Sequence, residues 1–188
     1  MGQRFQAYYL MTKKGQQTNR EELHREAFHL QWSWGLYSLM RLGQVMEFMT
    51  KQLPYEYTPF HARASYDLES HGIPMLEALT GMNYYLGSYV EPYREDEDVA
   101  KDPGRADNND GFFIVDLRED IPRYRLFAND WDCGFKAVTP KEYLGYYPDH
   151  FEKKPEATAE ILEALEQYEM ISDEIIAEVY PMLVGNLR

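Results

Sequence analysis

The chain has 188 residues, 44% of them apolar and 15% aromatic, which is enough for a substantial core and excludes wholesale disorder. Its formal charge of −13 disfavours direct contact with nucleic acid or an anionic membrane, since both carry the same sign. The one cysteine, Cys133, excludes an internal disulfide and a cysteine-rich zinc site, and no apolar run approaches the ~20 residues of a membrane span.

The first residues, MGQRFQAYYLM, lack the uninterrupted apolar core of a signal peptide, and position 6 is Gln where myristoylation requires Ser or Thr. A cytoplasmic location is therefore expected. Phe5, Ala7, Tyr9 and Met11 alternate along Arg4–Met11 and predict a strand. After the polar segment MTKKGQQTNREE, a second run alternates: Phe28, Leu30, Trp32 and Trp34 point one way, and Ala27, His29, Gln31 and Ser33 the other. The two runs predict an antiparallel hairpin.

Gly35 marks a change of period. Leu36, Leu39, Met40, Gly43, Met46 and Met49 recur at three and four residues, which predicts an amphipathic helix over 36–52, ended by Pro54. The stretch YEYTPFHARASYDLESHG fits loop or helix; Pro74 and Gly81 punctuate a short helix, and NYYLGSYV reads as a strand. Beyond an acidic stretch, GFFIVDL and RYRLFA predict two strands, and Thr139-Pro140 begins the short helix PKEYL. Pro155 opens PEATAEILEALEQYEMI, and Ser172 caps a second helical unit, EIIAEVYPML. No internal repeat is present. The expected fold is α+β: an antiparallel sheet packed with helices, organised as a core over residues 1–148 and an acidic helical element over 149–188.

Charge is unevenly placed. Residues 1–54 carry seven basic side chains against four acidic ones, whereas residues 91–110 carry three against eight and residues 149–188 three against ten. The 91–110 stretch fails as an EF-hand loop: with Gly111 at the sixth position, Ala106 falls at the first and Leu117 at the twelfth, and neither can bind calcium. Turn formation accounts for Asp107, Asn109 and Asp110, so the stretch is expected to be a mobile acidic loop ending in an Asp-Gly turn. The histidines, at positions 24, 29, 61, 71 and 150, form no H-x-x-x-H or H-E-x-x-H pair, and the glycines form neither a Walker loop nor a dinucleotide fingerprint. Neither metal nor cofactor is expected.

The leading functional expectation rests on the acidic groups. Glu91, Glu95, Asp96, Glu97 and Asp98 crowd one loop, and Glu156, Glu160, Glu163, Glu166 and Glu169 recur at helical spacing on one face. This arrangement predicts a non-enzymatic protein that engages a basic protein surface, with a nucleic-acid-binding machine as the expected partner. Small acidic phage inhibitors of restriction or CRISPR effectors work in this manner; the comparison is one of charge and size, not of sequence. A second reading is a small hydrolase-like enzyme with a dispersed site around His29, Gln31, Asp130, Asp132 and Cys133. Against it, the carboxylates of Asp130 and Asp132, just before Cys133, would raise its thiol pKa, and a lone cysteine is more often a small buried hydrophobe. A third reading is a structural homo-oligomer that buries its tyrosines, of which there are 16.

Overall fold

A computed structural model describes residues 4–14, 21–31, 33–47, 49–50, 84–90, 99–103, 110–130, 134–149 and 155–187. Six strands form one sheet: β1 (Arg4–Lys14), β2 (Glu21–Gln31), β3 (Tyr84–Val90), β4 (Phe112–Asp116), β5 (Arg123–Asp130) and β6 (Gly134–Val138). Their order is β3-β2-β1-β4-β5-β6. Four neighbouring pairs are antiparallel, and the central pair, β1 with β4, is parallel. The fold is α+β, as the sequence predicts, and the hairpin of the first two strands forms with Ala7 opposite Phe28.

Both strands of the parallel central pair are covered on both sides, as parallel strands generally are. Ala7–Met11 and Phe112–Val115 are nearly continuous apolar runs, the pattern of strands that show neither face to water. One side of the sheet carries Phe5, Ala7, Tyr9, Met11, Phe28, Leu30, Phe113, Val115, Leu126 and Ala128. It packs against α1 (residues 36–47 and 49–50), α2 (Pro140–Gly145) and α3 (Pro155–Glu166). In α1 the buried stripe is Leu36, Leu39, Leu42, Val45, Met46 and Met49. The other side carries Tyr8, Leu10, Ala27, Phe112, Ile114 and Phe127. It lies under α4 (Asp173–Val179) and a 3₁₀ turn (Pro181–Asn186), through Ile176, Val179, Tyr180 and Leu183.

Local chemistry sets several boundaries. Thr139 and Glu142 form a reciprocal capping box at the start of α2, and Ser172 caps α4 by accepting the Ile175 N–H. Gly111 has φ +107, and a Cβ there would sit 2.1 Å from the Phe127 carbonyl oxygen, so only glycine lets the chain enter β4 beside β5.

Some expectations change. The second strand ends at Gln31, and Ser33 and Trp34 lie outside it, so the alternation does not continue as strand. Gly134–Val138, unforeseen, forms the edge strand β6. The C-terminal helix stops at Glu166, and residues 167–172 separate it from α4. In that connection Met170 bridges Tyr124, with Tyr124 N–H donating to the Glu169 carbonyl at 3.2 Å and Ile171 N–H to the Tyr124 carbonyl at 2.8 Å. The connection extends the sheet where β6 has ended, and it carries the chain from one side of the sheet to the other. The helix expected at 74–81, the ambiguous stretch before it and Trp32 lie outside the described residues.

Candidate functional site

The acidic face of α3 forms because the helix has two chemically opposite sides. At 100° per residue, Thr158, Ile161, Leu162 and Leu165 share one arc, and Glu156, Glu160, Glu163 and Glu166 share an opposite arc of about 120°. Thr158 and Leu165 are fully buried, and Ile161 and Leu162 pack against the same core. All four glutamates are exposed. Glu169 is exposed as well, although it lies past the end of the helix.

The electrostatics of this face are unfavourable in isolation. Glu156–Glu160, Glu160–Glu163 and Glu163–Glu166 are like-charge pairs at i,i+4 and i,i+3, together destabilising the helix by roughly 1 kcal/mol. No basic residue lies in the last turn to meet the negative end of the helix dipole. From Pro155 to Leu187 there is no Lys or Arg, while Asp173, Glu174 and Glu178 of α4 are exposed on the opposite side of the sheet. Of these, Asp173 is paired: its Oδ1 accepts an Arg125 N–H at 2.7 Å. Tyr124 registers the charge: burial, then the nearby Glu166 carboxylate, push its hydroxyl pKa up to about 12.

The acidic stretch 91–110 is anchored at Ala100, Pro103 and Asp110. Tyr180 Oη–H donates to the Ala100 carbonyl at 3.1 Å, and Tyr8 Oη–H to the Pro103 carbonyl at 3.3 Å. Ala100 is fully buried and Pro103 buried. Asp110 lies in a turn, as expected, but it is buried. Its Oδ2 accepts the Arg4 N–H at 3.0 Å and its Oδ1 the Tyr147 hydroxyl at 3.0 Å. The Tyr143 hydroxyl lies 3.2 Å from the Asp110 carbonyl oxygen and accepts the Gly35 N–H at 3.2 Å. Asp110 thus ties the entry to β1, the start of α1 and the end of α2 together. Burial raises its carboxyl pKa against the hydrogen bonds from Tyr147 and the Arg4 backbone, which lower it. Glu91, Glu95, Asp96, Glu97 and Asp98 lie outside the described residues.

The dispersed enzymatic grouping does not converge among its described members. His29 is on β2 and Asp130 on β5, with β1 and β4 between them, a separation on the order of 14 Å across the ladder. The register also puts them on opposite sides: His29 shares its side with Gln6, while Asp130 shares that of Ala128. His29 is buried, its Nδ1 3.2 Å from Gln6 Nε2, and burial followed by the charge of Arg4 lowers its pKa. The Gln31 side chain, Asp132 and Cys133 lie outside the described residues.

Two buried polar groupings do not figure among the expectations drawn from the sequence. Asp116, fully buried at the end of β4, accepts Arg118 Nε–H at 2.8 Å, a second Arg118 N–H at 2.9 Å, the Arg118 backbone N–H at 3.1 Å and an Arg123 N–H at 3.0 Å. Burial pushes its pKa up, but the Arg118 hydrogen bonds and the charges of Arg118 and Arg123 outweigh this and hold it below the usual carboxylate range. His24 and Glu26, two apart on β2, hydrogen-bond through Nε2 and Oε1 on the α1 side of the sheet, where the Tyr9 hydroxyl finds no partner among the described residues. The i,i+2 spacing on a strand was the available signal for this pair. Among the described residues no group of three His, Cys, Asp or Glu is placed to hold a metal ion, and no helix is long and apolar enough to cross a membrane.

No protein-family model, curated protein or solved structure matches the chain.

Proposed function

We propose that the protein is a non-enzymatic binding protein that engages a basic surface of another protein through the outer face of α3, with a nucleic-acid-binding machine as the class of partner. The supporting observation is the four-carboxylate arc of Glu156, Glu160, Glu163 and Glu166, exposed on a helix with no Lys or Arg and seated on the core through its opposite side. A cationic partner would relieve the repulsion that the free helix carries. The four charges span about 15 Å, one per ~5 Å, against 3.4 Å per charge along one strand of B-DNA. A single helix thus reaches about two thirds of the charge density of one strand, which suits a protein surface shaped to hold a phosphate backbone.

The test uses the purified chain immobilised and challenged with cell lysate at low and high salt, beside the triple variant Glu160→Lys, Glu163→Lys, Glu166→Lys. Salt-sensitive capture of a basic nucleic-acid-binding protein by the parent, absent in the triple variant, is the expected outcome. Because all three positions are exposed, the variant should keep its urea midpoint. Equal capture by both proteins would remove this face from the function.

A further inference from the structure

We draw no further inference here: the strongest candidate, the buried His24–Glu26 pair with the Tyr9 hydroxyl on the α1 side of β1 and β2, is enclosed in the core among the described residues, and nothing in the structure shows what it would bind.

Discussion

Replacing Asp110 separates a structural role for the end of the acidic stretch from a role in a binding surface. Asp110→Ala deletes the acceptors of the Arg4 N–H and the Tyr147 hydroxyl. The hydroxyl has a fallback, because the Asp110 carbonyl oxygen lies 3.4 Å away. Hydrogen bonds to a charged group contribute roughly 1.5–3 kcal/mol each, and removing a buried carboxylate returns part of that as relieved desolvation, so the net loss should be about 2–3 kcal/mol. Asp110→Asn behaves differently. Its Oδ1 can keep the Arg4 N–H and its Nδ2 can donate to Tyr147 Oη, while the buried charge disappears; its stability should lie within about 1 kcal/mol of the parent at neutral pH. The pH dependence provides a second check. Because the folded-state pKa of Asp110 is raised, its protonated form contributes stability at low pH that is lost as pH rises from the unfolded to the folded value. Asp110→Asn lacks that decline, so its stability relative to the parent should increase with pH across this window. Urea unfolding followed by circular dichroism at a series of pH values measures both effects. If Asp110→Ala were within about 0.5 kcal/mol of the parent, the clasp would be refuted.

Gly111→Ala should prevent folding or destabilise by more than about 3 kcal/mol, because positive φ and the approach to the Phe127 carbonyl oxygen combine; the loss of the native circular dichroism spectrum is the measurement. Asp116→Asn should destabilise by about 3 kcal/mol, the low end for a broken buried ion pair, since Arg118 and Arg123 retain 23% and 20% side-chain exposure and can reach water. Asp116 has a lowered folded pKa, so the stability it contributes is present above its unfolded value and is lost as pH falls through the folded one; the variant should lack this part of acid unfolding, read from urea midpoints below about pH 4. Raising NaCl from about 0.05 to about 0.5 M shortens the Debye length and should stabilise the free protein, and this gain should shrink in Glu163→Gln, which breaks two of the three repulsive pairs of α3. Thermal melts of the two proteins at both salt concentrations measure the difference.

Periodicity by itself determined much of this protein. The alternation of Phe5, Ala7, Tyr9 and Met11 placed all four on one side of β1, the three- and four-residue spacing from Leu36 to Met49 marked the helix over the core, and the caps at Thr139 and Ser172 started helices where expected. These features are local: side-chain direction on a strand or helix repeats with the chain, and a cap bonds within three residues of itself. The acidic arc of α3 was legible for the same reason, since four glutamates at helical spacing share a face wherever the helix packs.

Only the tertiary structure decided which charges stay in water. Glu163 and Asp110 are equally acidic in sequence, yet one is exposed and the other buried, because Asp110 meets Arg4 and Tyr147, residues 106 and 37 positions away. The same holds for the parallel pairing of β1 with β4, which also joins residues about 100 apart, and for the separation of His29 from Asp130 by strand order and by side. Bonds across such distances depend on how the strands assemble, and no short-range pattern encodes that assembly. The sequence shows no loop between the helical unit opened by Pro155 and the one capped by Ser172, but β6 ends early enough to leave a place beside Tyr124, and Met170 fills it. That backbone pairing outweighs the propensity to continue the helix, and it is what sends the two acidic helices to opposite sides of the sheet.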